Sequence, residues 1–119
     1  MRPHFRFEDL EIWQLARQLA VKLHQFANEL DKRRLYRYAE QLRGAGLSLT
    51  NNIAEGSGST YTQEFRQFLN ISRRSVFEDA LMLMVFESLG LFSAAEIEEP
   101  LIDYDLLSRK ITNFSKTLG

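Results

Sequence analysis

The strongest constraint on the fold is a spacing. Ile12, Ala16, Leu19, Leu23, Phe26 and Leu30 follow one another at alternating intervals of four and three residues. On an α-helix that interval keeps all of them on one face, and an apolar face has to be buried. Trp13, Ala20 and Ala27 flank the seam at intervals of seven and widen it. Glu8, Asp9 and Glu11 come near its start, where the helix dipole favours negative charge.

The same spacing returns three times. A second seam reads Leu35, Ala39, Leu42, Leu49 and Ile53, with Gly46 in the remaining slot. A third reads Phe65, Leu69, Ser72, Val76, Asp79, Leu83 and Phe86. A fourth reads Ile97, Leu101, Tyr104, Leu107, Ile111, Phe114 and Leu118. No two-residue alternation persists, which disfavours strands. The seams predict helices over about 8–30, 32–56, 60–89 and 94–118. Short joints between them make successive helices antiparallel neighbours. The expected fold is all-α, a single domain over residues 1–119, built as an antiparallel up-down-up-down four-helix bundle. Hydrophobic residues form 45% of the 119, which suffices for one core but hardly for two.

Local signals refine the helices. Gly44 and Gly46 each cost about 1 kcal/mol relative to alanine inside a helix, so they point to close backbone approach or a bend. Ser93 and Glu96 form a capping box for the fourth helix. Pro100 lies inside that helix and predicts a kink, or a short turn ahead of the main helix. The stretch NNIAEGSGSTYTQEF, residues 51–65, holds the glycines of the second joint. A phosphate loop needs a lysine after its last glycine, and a dinucleotide loop needs a strand before it and a third glycine. Neither is present. The expected reading is a helix corner, with Gly56 ending one helix in the left-handed conformation and Thr60 and Gln63 capping the next.

Residue types narrow the chemistry. There is no cysteine, so disulfides, thiolate metal sites and cysteine nucleophiles are all excluded. The two histidines, His4 and His24, each lack the glutamate three residues earlier that a di-iron bundle requires. No G-x-S-x-G elbow occurs. The expectation is a non-enzyme without metal or cofactor. Asp79 occupies a seam slot, where a carboxylate needs a hydrogen-bond or ion-pair partner. No apolar run of about 18 residues suggests a membrane span, and the first residues lack a signal-peptide pattern. A cytoplasmic location is expected.

Charge is uneven although the net value is −1. Lys32, Arg33, Arg34, Arg37 and Arg43 crowd the start of the second helix, interleaved with Tyr36 and Tyr38. Arg66, Arg73 and Arg74 lie on the third helix, and Glu96, Glu98, Glu99, Asp103 and Asp105 make the start of the fourth acidic. Such runs are solvated faces or complementary patches between subunits. The basic run with its tyrosines also suits unpaired nucleic acid. The candidate nucleic-acid residues are Arg33, Arg34, Arg37, Arg43, Arg73 and Arg74. Ser48, Asn52 and Glu55 share one side of the second helix. A shielded network with Arg73, Ser75 or Glu78 would set helix register or join subunits.

Four segments in order carry a resemblance: FEDLEIWQLA (7–16), QLRGA (41–45), SLTNNIAEGSG (48–58) and EFRQFLNISRRSVFE (64–78). Together they resemble the bacterial four-helix bundle family of 23S rRNA intervening-sequence proteins, which is related to the accessory variability determinant of diversity-generating retroelements. Asn52, Glu55, Gly56, Gly58, Ser75 and Glu78 sit at positions similar to the family's structural motif. The chain departs from that pattern at Gly44 and Ser59, where the family commonly carries arginine, and at Thr50 and Arg74, where it commonly carries proline and glycine. The resemblance implies a ring-like homopentamer and no known catalytic activity. It also implies an RNA or ribonucleoprotein adaptor; the alternative is a protein–protein scaffold that binds no nucleic acid.

Overall fold

The computed structural model describes all 119 residues. A short 3-10 turn, Arg6–Asp9, leads into four helices and no strand. They are α1 (Glu11–Lys32), α2 (Tyr36–Ser57), α3 (Thr62–Ser88) and α4 (Ala94–Thr117). Each helix packs on the next, and α4 packs back on α1. Cross-helix pairs give the directions. On α1 and α4, Lys22 meets Asp103 at 2.5 Å while Glu11 meets Lys110 at 2.8 Å. On α3 and α4, Tyr104 meets Asp79 and the Phe65 and Phe114 rings meet edge to face at 5.6 Å. On α2 and α3, Tyr38 contacts Phe86 at one end and Gly56 abuts Phe65 and Phe68 at the other. Every neighbouring pair runs antiparallel, as the short joints required.

The seams form the core. All of the third seam is buried, Ser72 and Asp79 included, as are Ile12, Ala16, Leu19, Leu23 and Leu30 of the first. Each large apolar side chain so buried stabilises the fold by roughly 1.5–3 kcal/mol. Gly46 is a true close approach, since a Cβ there would lie 3.0 Å from the Ala20 Cα. Gly44 meets nothing within 4 Å, so packing within one chain does not require it.

The ends differ from expectation. Residues 6–9 form the 3-10 turn, and α1 begins only at Glu11. That turn docks on the second joint: Arg6 Nη1 donates to the Ser57 carbonyl at 3.1 Å, and its guanidinium lies 5.2 Å above the Phe65 ring. A cation thus sits at the negative end of α2. Gly56 does not end α2 in a left-handed conformation. It is buried inside the helix, where a Cβ would fall 2.7 Å from the Phe68 Cβ; α2 runs on to Ser57 and is capped by Gly58 at φ −83°. The Thr60–Gln63 box does not form, because the N-cap of α3 falls one residue later, at Tyr61. Ser93 and Glu96 do form their box. Pro100 is buried within α4, which continues through it without dividing. No helix is long and apolar enough to cross a membrane.

Candidate functional site

The joint between α1 and α2 is built by backbone before charge enters. α1 ends in a Schellman motif: Leu35 N–H donates to the Leu30 carbonyl and Arg34 N–H to the Asp31 carbonyl, both at 2.9 Å. This motif places one residue in the left-handed region, and that residue is Arg34, at φ 63°. α3 ends the same way. Leu91 N–H donates to the Phe86 carbonyl and Gly90 N–H to the Glu87 carbonyl, with Gly90 at φ 76°. Glycine is at ease there, whereas a Cβ crowds the following carbonyl at a cost of about 1–2 kcal/mol. The chain therefore holds a strained arginine where its other corner of the same design uses glycine.

Around Arg34 the surface is basic and aromatic. Arg33 Nη1 donates to the Leu91 carbonyl at 2.9 Å, which braces this corner against the joint between α3 and α4. Arg34, Tyr36 and Arg37 are exposed. Glu29 pairs with Lys32 at 2.9 Å and Asp31 with Arg43 at 2.6 Å, which leaves exposed Glu40, a turn after Arg37, as the one carboxylate of this stretch that offsets the basic run. The N-terminal end of α2 adds its own partial positive charge. This set can contact phosphates through Arg33, Arg34 and Arg37 and offer Tyr36 as a stacking surface.

The other candidate arginines fall elsewhere. Arg43, expected with the basic set, ties α1 to α2. Besides Asp31 it reaches Asn28 at 2.7 Å through Nη2 and His24 at 3.3 Å through Nε. Its half-buried guanidinium is already occupied, so it is not a free phosphate contact. Arg73 and Arg74 are exposed on α3, roughly 20 Å along the bundle from the corner at ~1.5 Å per residue. Arg73 lies 5.7 Å over the Phe77 ring and borders a groove between α3 and α4.

The expected Asn–Glu–Arg network does not form within one chain. Asn52 Nδ2 donates to the Ser48 carbonyl at 2.9 Å, and Ser75 Oγ donates to the Ile71 carbonyl at 3.0 Å, each inside its own helix. Short polar side chains bond back along a helix readily. Glu55 and Glu78 are exposed. Ser48, Ser75 and Glu78 do line one groove between α2 and α3, together with Gln41 and Asp79. Asp79 is 3% exposed and accepts a hydrogen bond from the Tyr104 hydroxyl at 3.2 Å. Burial pushes its carboxyl up from an ordinary 3.8 to about 7, and the hydrogen bond from Tyr104 only partly opposes that. Burial also raises the Tyr104 phenol. The seam carboxylate thus has its partner, and no reactive group stands beside it.

The acidic start of α4, apart from exposed Glu98, is paired inside the chain. Glu99 and Asp103 both bind Lys22. Asp105 pairs with Arg109 at 2.9 Å, and Glu96 closes the capping box. No three histidine, aspartate or glutamate side chains converge to hold a metal ion.

A second surface is marked by its own spacing. Phe77, Leu81, Met84 and Val85 keep 45–61% of their surface exposed. Their spacing puts them on the face of α3 directly opposite its seam. α3 is thus apolar on two faces, only one of which the bundle covers.

Residues 8–113 match the family described as 23S rRNA-intervening sequence protein. The chain belongs to this family. The match takes in α1, α2, α3 and most of α4, so the basic corner and the outer stripe of α3 both lie within the region that defines the 23S rRNA-intervening sequence family. The family's description names no reaction. No curated protein matches the chain.

Proposed function

We propose that this chain is a non-catalytic, self-associating helical bundle that acts in the cytoplasm as an RNA- or ribonucleoprotein-binding adaptor. Arg34 carries the proposal. A left-handed arginine costs stability that glycine would restore, and strain of this kind persists where a side chain has a use. Arg33, Arg37 and Tyr36 surround it. Unpaired RNA would place phosphates on the arginines and a base on the Tyr36 ring. Membership of a family named for a ribosomal RNA intervening sequence supports an RNA setting.

The outer stripe of α3 supports self-association. Apolar side chains lined up on an uncovered helix face favour burial against another surface. A ring of five copies is the assembly that the resemblance implies. Such a ring would present five basic corners and turn weak contacts into avid binding.

Changing Arg33, Arg34 and Arg37 together to glutamate tests the RNA proposal. Filter binding should show loss of RNA retention while circular dichroism stays helical, and retention by the parent chain should fall steeply with salt. Unchanged retention by the folded variant would remove the corner from the proposal. A protein–protein scaffold is the second reading, favoured by the α3 stripe and by exposed Ile102 and Leu106 on α4. It predicts a defined protein partner that survives nuclease treatment and ignores the glutamate changes.

A further inference from the structure

A polar groove runs between α3 and α4 at the end of the bundle away from the basic corner. The edge-to-face contact of Phe65 with Phe114 sets the register there. So does the hydrogen bond from Arg66 Nη2 to the Leu118 carbonyl. That register brings Arg66, Asn70 and Arg73, spaced four and three apart on α3, opposite Thr112, Ser115 and Lys116 on α4. Buried Leu69 and Ile111 form the floor. The cleft has a volume of ≈ 290 Å³.

Its chemistry is one-sided. Three cations line it and no carboxylate does. The Thr112 hydroxyl is committed to the Ser108 carbonyl at 3.2 Å, and one Arg66 nitrogen to Leu118. The Arg73 guanidinium, the Lys116 ammonium, the Asn70 amide and the Ser115 hydroxyl have no acceptor within the chain, and each is a donor. Lys116 alone would be explained by the negative end of α4. Arg66 would be too, through its bond to the Leu118 carbonyl at the C-cap of α4, but Arg73 would not, because it lies three turns inside α3. Like charges gathered in one cleft repel, and an anion rich in acceptors relieves that repulsion while binding every donor.

We infer that this groove binds a phosphate group, with Arg66, Arg73 and Lys116 matching its charge and Asn70 and Ser115 its remaining oxygens. A phosphate has only acceptor oxygens when ionised, and a guanidinium can engage two of them at once. The source is either a polynucleotide backbone or a small phosphate ester. The inference does not depend on RNA binding at the corner, and the two fail separately.

Titration of the labelled protein with inorganic phosphate at constant ionic strength, followed by amide NMR, tests it. Saturable shifts confined to residues around Asn70, Arg73, Ser115 and Lys116 are expected. Changing Arg73 and Lys116 together to glutamine should weaken binding at least about tenfold, through loss of two charge-assisted contacts. Changing Arg33 and Arg37 to glutamine should leave it unaltered. A short RNA that shifts the same signals and competes with phosphate would identify a polynucleotide as the source. Groove shifts with phosphate but none with RNA would identify a small phosphate ester. Absence of saturation, or shifts spread evenly over every exposed cation, would overturn the inference.

Discussion

Asp79 lies beside Ser75 and Glu78 of α3, faces the uncharged Gln41 and Ser48 of α2, and meets Tyr104 of α4. Its folded pKa of about 7 stands above its ordinary 3.8, so the folded chain holds the proton more tightly than the unfolded chain. The stability this provides is full below about pH 4 and is lost as pH rises through about 7, a fall of roughly 3–5 kcal/mol from this group. Glu8 has the opposite sign. Arg2 and the Phe5 N–H hold it down to about 2, and its contribution disappears only as pH falls through that value. A window from about pH 5 to 8 therefore separates Asp79 from Glu8. Asp79→Asn keeps an acceptor for Tyr104 and removes the titration. Its urea midpoint should be nearly flat across the window and higher than the parent's at the alkaline end; a midpoint lower throughout would mean that the charge itself is needed. Arg34 makes a different prediction. Arg34→Gly should stabilise the fold by about 0.5–1 kcal/mol, the relief of the left-handed Cβ less the extra freedom of the unfolded glycine. The midpoint of thermal unfolding reads this directly.

At the scale of the helix, one substitution should have opposite signs at two places in α2. Gly44→Ala meets open space and should stabilise by up to about 1 kcal/mol through helix propensity. Gly56→Ala puts a Cβ 2.7 Å from the Phe68 Cβ and 2.9 Å from Phe65 Cδ1, and should destabilise by about 1–2 kcal/mol after the same propensity gain. Equal effects in chemical denaturation would mean that α2 and α3 separate at no cost. The same helices show what a sequence discloses. Burial on a helix follows a single period, so the seams located nearly every core residue, Asp79 included. The ends were harder. A left-handed corner calls for glycine, so nothing marks Arg34 as its occupant, and the sequence places the start of the second helix at residue 32 rather than at Tyr36. Thr60 and Gln63 satisfy a capping pattern in order, but the backbone chose Tyr61 one residue on. Arg43 looked like part of a basic run because the sequence does not display Asp31, Asn28 and His24 on the facing helix.

The whole molecule presents two surfaces for which one chain has no use, the basic corner and the outer stripe of α3. Light scattering at micromolar concentration should give a mass several times 13.9 kDa. Phe77→Glu with Leu81→Glu should reduce it toward one chain without loss of helix, since a charge on an apolar interface costs several kcal/mol in desolvation. A monomeric parent would end the assembly proposal. The phosphate groove belongs to this scale too, because residues from α3 and α4 meet there only through the fold, and no local pattern announces it. The corner is tested most directly by the RNA affinity of Arg34→Gly over a series of salt concentrations. The prediction is weaker binding by a more stable protein, with a salt slope smaller by roughly 0.7–0.9, the loss of one phosphate contact. A variant that is more stable and binds RNA as tightly as its parent, with the same slope, would contradict it.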